Sequence, residues 1–169
     1  MAHLTIRKAT ADDAQELSGL LNEIIEAGGT TALEAPLSPD QLADWFITGE
    51  FALTCHVAQA GSGLAGFQFL SLYENRPKGW ADIGTFARRS PKIPGVGTAL
   101  FSATVSVAKE RNIDFINATI RADNGGGLAY YEKMGFRTYN VMEKVPLDDG
   151  TPVDRINKQY LVKKERSGL

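Results

Sequence analysis

The chain has 169 residues, 43% hydrophobic, 9% aromatic and 22% charged, which fits one soluble globular domain with a single core rather than a disordered or fibrous chain. A formal net charge of −2 and a pI near 5.7 exclude the concentrated basic face that nucleic-acid binding needs. A lone cysteine, Cys55, excludes an internal disulfide or a paired-thiolate metal framework. With no signal-like opening and no apolar run of about 18 residues, the expected setting is cytoplasmic, away from membranes.

Residues 3–9, HLTIRKA, alternate apolar and polar like a half-buried strand, and Thr10-Ala11-Asp12-Asp13 supplies a cap and early acidic charge for a helix. Within that helix Ala14, Leu17, Leu20, Leu21, Ile24 and Ile25 recur every three or four residues, and Gly28-Gly29 ends it. An irregular stretch over 30–36 follows, a lip for a substrate site or a plain surface loop. Ser38, with Pro39 at the first helical position, then launches a short helix to about Thr48, whose buried side is expected to hold Leu42, Trp45 and Phe46.

Three strand-like runs, 54–60, 64–73 and 80–87, joined by Gly61-Ser62-Gly63 and a polar turn, read as an antiparallel meander. From residue 96 the apolar period becomes helical, with Val96, Leu100, Phe101, Thr104, Val105 and Ala108 on one face. FINATI over 115–120 is a strand, 124–134 a short helix closed by Gly135, and 136–147 and 153–164 are two last strands. The basic run Lys163-Lys164-Glu165-Arg166 reads as a solvated tail. The sum is one mixed α/β (α+β) domain over 1–169, with a central sheet of about seven strands flanked by helices.

Between the third meander strand and its helix lies SPKIPGVGTALF, residues 90–101. A helix N-terminus offers unpartnered N–H groups and the positive end of the macrodipole, and glycines let a phosphate approach the backbone. A plain turn with a glycine cap carries the same spacing. The loop is neither a GxxxxGK[ST] phosphate loop nor a GxGxxG dinucleotide turn, since Leu100 stands where the third glycine belongs.

Two segments together carry a resemblance. Lys92-Ile93-Pro94-Gly95-Val96-Gly97 is similar to the (Gln/Arg)-x-x-Gly-x-(Gly/Ala) acyl-coenzyme A signature of the GNAT superfamily of N-acetyltransferases. Asn124-Gly-Gly-Gly-Leu-Ala-Tyr-Tyr-Glu-Lys-Met-Gly-Phe136 resembles that superfamily's Asn-x-x-Ala-x-x-x-Tyr-Glu-Lys-x-Gly-Phe segment. IRKATADD, the Thr30-Thr31 loop, Ser38-Pro39-Asp40-Gln41 and Trp45-Phe46 resemble the branch that acetylates phosphinothricin and related small amines.

The resemblance implies a GNAT-like fold and direct transfer of an acetyl group from acetyl-CoA to a primary amine of a small molecule such as an amino acid or analogue, with a homodimer as a common assembly and no metal. It implies a diphosphate cradle from Gly95, Val96, Gly97 and Thr98, with Lys92 and Ile93 at its rim. It also implies main-chain contacts to the cofactor arm from Phe86 and Ala87, and a further contact from Asn124, which is also a natural helix cap. Tyr131 takes the family's place as the general acid beside the leaving sulfur, and neighbouring Tyr130 is expected to pack. Asp82 stands where the phosphinothricin branch carries a glutamate and is the candidate base, acting directly or through water, with Glu34 and Glu74 as substitutes; these two and Thr31 stand on the acceptor side. Pro94 removes one amide from the loop, and Gly125-Gly126-Gly127 predicts an irregular first turn in the last helix. A non-catalytic acyl-CoA sensor, and an acetyltransferase for a protein or peptide amine, are the alternatives.

Overall fold

A computed structural model describes residues 3–61 and 63–163. Apart from Lys163, the basic C-terminal run lies outside the described residues, as does Ser62 of the first hairpin turn. The elements run β1 (Leu4–Lys8), a 3-10 turn over Ala11–Asp13, α1 (Ala14–Ala27), α2 (Pro39–Leu42) and a π-helical turn over Ala43–Ile47. They continue as β2 (Ala52–Ala60), β3 (Gly63–Ser71), β4 (Trp80–Ala87), α3 (Val96–Glu110), β5 (Phe115–Arg121), α4 (Gly125–Met134), β6 (Arg137–Pro146) and β7 (Pro152–Leu161). This is the predicted order.

Local chemistry accounts for the starts and stops. Asp13 closes a capping box with Thr10 and takes a forked pair of 2.8 Å hydrogen bonds from Arg7, tying the end of β1 to the start of the helix. Ser38 and Gln41 form a second capping box, with Pro39 at the first helical position. Gly28, at φ 72°, ends α1 in a conformation that other side chains resist. Trp45 departs from its predicted burial. It is 43% exposed, because the π-helical turn rotates it outward while Leu42 and Phe46 stay in the core.

The seven strands form one sheet in the order β1-β2-β3-β4-β5-β7-β6. Every neighbouring pair is antiparallel except β4 and β5, which are parallel. One face packs under α1 and α2 through Cys55, Val57, Phe67 and Phe69. On the other face Leu70, Ala81, Ile83, Ile116 and Ala118 meet Phe101 of α3 and Tyr131 of α4. Cys55 is buried and its thiol is pushed up to about 12 by burial, which makes it a packing residue. Among the described residues, no helix is long and apolar enough to cross a membrane.

Candidate active site

The single parallel contact creates the site. β4 and β5 pair only through Trp80 with Phe115, Ala81 with Ile116 and Asp82 with Asn117, while β4 continues to Ala87 against β3. Beyond Asp82 the two strands part, so the sheet opens into a fork with Asp82 at its base. The Arg88 N–H donates to the Ala65 carbonyl at 2.8 Å, and the β3–β4 register is unbroken from Gly66 with Ala87 to Ser71 with Asp82. Alternation of bonded and non-bonded pairs therefore turns the main chain of Gly84 and Phe86 toward β3, and that of Ile83, Thr85 and Ala87 toward the fork. This divides the predicted main-chain pair. The main chains of Ala87 and Thr85 face the opening, whereas Phe86 turns its backbone to β3 and its ring against Phe67.

The glycine loop ends in an open helix terminus. α3 begins at Val96, with Gly95 as its N-cap at φ 83° and no side chain capping it. The first intrahelical bond runs from Ala99 N–H to the Gly95 carbonyl, leaving the N–H groups of Val96, Gly97 and Thr98 without intrahelical partners. Pro94 precedes the cap, so its missing N–H takes nothing from this set. Lys92 is exposed at the rim, whereas Ile93 packs against the small cluster of Ala58, Ala65, Val96 and Leu100.

The two glycines differ in kind. Around Gly95 there is open space, and its positive φ is what requires glycine. At Gly97 an added Cβ would stand 2.5 Å from the Tyr130 ring. The small residue at 97 thus makes room for Tyr130.

α4 corrects a second expectation. It is helical from Gly125 onward, because Asn124 caps it by accepting from the Gly127 N–H at 2.9 Å. A Cβ on Gly127 would run into the Asn124 amide, so the glycine makes this cap fit. The Asn124 Nδ2 also donates to the Thr30 carbonyl at 2.8 Å, pinning the loop after α1.

Tyr131 is buried, with its ring edge-on to Phe136 and its hydroxyl 2.9 Å from Thr85 Oγ1. Burial pushes this phenol well above its ordinary value, and the Thr85 hydrogen bond opposes that rise. Tyr130 does more than pack. Its hydroxyl donates to the Gly97 carbonyl at 2.7 Å and accepts from Gln68 Nε2 at 3.0 Å, and burial pushes it up to about 12.

Asp82 is three residues from Thr85 on one strand and so lies on the opposite face of the sheet. It takes a forked pair of bonds from Arg76 at 2.8 and 3.0 Å, and a longer one from Asn117 Nδ2 at 3.4 Å. Tyr139 donates to Asn117 Oδ1, completing the cluster. Burial outweighs the guanidinium here and holds the Asp82 carboxyl above its ordinary value.

The remaining acceptor-side candidates sit in loops. Glu74 is exposed in the β3–β4 turn that also supplies Arg76. Glu34 accepts from the Asp148 N–H at 3.0 and 3.2 Å, the Thr31 hydroxyl accepts from Leu33 N–H, and the Thr31 carbonyl accepts from Arg121. These contacts fasten the loop over residues 30–36 across the end of β5 and the β6–β7 turn. Sequence reasoning passed over Gln68, Thr85, Arg76, Asn117 and Tyr139. Gln68 and Asn117 carried a readable signal, since an uncharged polar residue inside an apolar strand run is the informative exception.

Comparison with known proteins agrees with this geometry. Residues 3–137 match the acetyltransferase (GNAT) domain. YwnH of Bacillus subtilis (strain 168), provisionally named a phosphinothricin acetyltransferase, is 23% identical over 154 residues, covering 89% of this chain and 94% of that protein. A GNAT superfamily phosphinothricin acetyltransferase from Sinorhizobium meliloti, solved in complex with acetyl-CoA, superposes with a TM-score of 0.83 at 20% identity, covering 98% of this chain and 92% of that one. A ribosomal-protein-alanine N-acetyltransferase from Brucella melitensis superposes at 0.81 with 18% identity, covering 93% and 99%. These structural likenesses show a shared fold, and the family match shows the rest: the chain belongs to the GNAT acetyltransferases and is an acyltransferase enzyme.

Proposed function

We propose that this enzyme moves an acetyl group by direct transfer from acetyl-CoA to the primary amine of a small molecule, an amino acid or analogue. The observation that carries the reading is the placement of Tyr131 and the Arg76–Asp82 pair on opposite faces of one fork. A thioester lying in the fork meets Tyr131 from one side and the amine from the other.

The chain's own groups fit acetyl-CoA as substrate. The open N–H groups of Val96, Gly97 and Thr98 suit a diphosphate, with Lys92 adding charge at the rim. The fork-facing main chain of Thr85 and Ala87 suits the amides of the pantetheine arm and the carbonyl oxygen on which charge develops. Asn124 is committed to capping α4 and holding Thr30, so it acts on this cradle through the loop.

An alkyl amine has a pKa of about 10 and must lose a proton before it attacks. Asp82, held above its ordinary value by burial, takes that proton directly or through water. Arg76 and Asp82 neutralise each other in the free enzyme, and an amino acid brings the same two charges in exchange. As the carbon–sulfur bond breaks, Tyr131 gives its hydrogen bond or its proton to the departing sulfur. The fastened loop over residues 30–36 makes a fixed wall and favours a small acceptor over a polypeptide.

The test is thiol release from acetyl-CoA across a panel of amino acids, small amines and peptides, with wild type and Tyr131→Phe. Turnover on small amines with kcat lowered about 100-fold in the variant is the expected result. Acetyl-CoA binding without turnover on any acceptor would favour the sensor reading, and turnover confined to peptides would move the acceptor class.

A further inference from the structure

On the α3–α4 face of the fork, four side chains, Tyr130, Gln68, Thr85 and Tyr131, form a hydrogen-bond chain whose direction is fixed by chemistry as far as Thr85. The Gly97 carbonyl can only accept, so Tyr130 spends its one proton there, at 2.7 Å. The Tyr130 oxygen is then the acceptor for Gln68, which must present Nε2 to it, at 3.0 Å. The second proton of the same nitrogen goes to Thr85 Oγ1 at 2.8 Å. Gln68 Oε1 is left buried without a partner. A side chain kept only for packing would not carry that orphan, and an amide flip would set the Gln68 oxygen against the Tyr130 oxygen, which has no second proton to give.

Thr85 is the last relay. Its oxygen has accepted from Gln68, and Tyr131 Oη stands 2.9 Å away. Either hydroxyl can donate in that contact, and the Tyr130 hydroxyl is a further hydrogen-bond neighbour of Thr85. When Thr85 donates, the phenol proton of Tyr131 is left for an acceptor in the fork. Each bond in such a chain polarises the next.

We infer that Thr85 is a positioning residue for Tyr131, oriented by Gln68 and, through Tyr130, by the first turn of α3. By donating to the phenol oxygen it aims the phenol proton at the leaving sulfur and steadies the negative charge that the oxygen acquires. In the step concerned the carbon–sulfur bond breaks, its electron pair leaves with sulfur, and the Tyr131 proton goes to that sulfur. Tyr131 then regains a proton from solvent, while the proton lost by the amine leaves on the opposite face. The chain also ties Tyr131 to the Gly97 carbonyl in the first turn of α3.

The inference rests on the reading of Tyr131 as the acid, and a double-mutant cycle separates the two. Thr85→Val keeps the shape of the side chain and removes the donor. It should lower kcat about tenfold while leaving the acetyl-CoA dissociation constant and KM unchanged, and Thr85→Ser should restore kcat to within about twofold of wild type. In a Tyr131→Phe background Thr85→Val should cost less than about a further twofold, because its effect runs through the missing hydroxyl. Gln68→Met, measured in the same two backgrounds, tests the same chain without touching β4 and should cost about threefold or more in the first background only. Wild-type kcat in Thr85→Val, or a full additional loss on top of Tyr131→Phe, would overturn the inference while leaving Tyr131 as the acid. Wild-type kcat in Tyr131→Phe alone would remove the acid reading and the positioning role with it.

Discussion

Asp82 shows how the surroundings of one residue fix the sign of a pH effect. Burial is the largest influence on its carboxyl and holds the folded value above the unfolded one, although Arg76 opposes this. A carboxyl so raised costs stability wherever it is charged in the folded protein. The cost is fully developed above the folded value and absent below the unfolded value of about 3.9. Asp82→Asn should therefore be at least as stable as the parent at pH 7 in thermal unfolding, with the difference closing as the pH falls toward 4. Arg76 has 27% of its side chain exposed and can be solvated when it loses its partner, so the variant leaves no sealed charge behind. A clear loss of stability at pH 7 would show that the pair is worth more than the burial it requires. The sequence placed Asp82 on the strand entering the site but could not supply Arg76, because a turn residue six positions away reaches back only through the particular shape of that turn.

Elements carry the second kind of constraint, and α3 is the clearest example. Gly95 and Gly97 look alike in the sequence, and the structure separates them into a backbone requirement and a packing requirement. Gly95→Ala meets no atom and should cost about 1 kcal/mol from the left-handed conformation. Gly97→Ala drives a methyl into the Tyr130 ring and should cost about 1–3 kcal/mol, or displace Tyr130 from Gln68. Chemical denaturation of the two variants checks the order, and equal losses would refute the distinction. Pro94 raised the question of a missing amide in the loop; the helix starts two residues later, so its free N–H groups are all present. Helix periods, caps and glycine stops were legible because they are local, and α1, α3 and β2 to β4 fall close to where the pattern set them. Trp45 and the first turn of α4 were not, since one depends on a π-helical turn and the other on an asparagine that fits only beside Gly127.

At the scale of the whole molecule the seven-stranded fold was implied by the family resemblance, whereas the fork rests on how far two particular strands pair before twist separates them. Three paired residues between β4 and β5, set against six between β3 and β4, are what open the sheet. No alternation of apolar and polar residues announces that length. The opening lies between Tyr131 on one face and Asp82 on the other, each tied to residues distant in sequence such as Gln68 and Tyr139. The fastening of the loop over residues 30–36 by Asn124, Arg121 and Asp148 is similarly long-range, joining segments about a hundred residues apart that only the closed fold brings together.

An opened sheet has a cost that falls on its interior. Edge strands normally lie at the rims, but β4 beyond Asp82 is an edge in the middle of the sheet, with main-chain donors and acceptors that no strand satisfies. Such an edge is completed by whatever extended amide chain enters it, and a pantetheine arm supplies amides at suitable spacing. Amide hydrogen exchange at Thr85 and Ala87 should accordingly be fast in the free enzyme, slow on addition of acetyl-CoA, and unchanged at Gly84 and Phe86, which β3 already protects. Saturation at 100 times the dissociation constant should raise unfolding stability by about 2.7 kcal/mol. Uniform protection of all four amides would mean that the molecule tightens as a whole, and protection of none would mean that the ligand lies elsewhere.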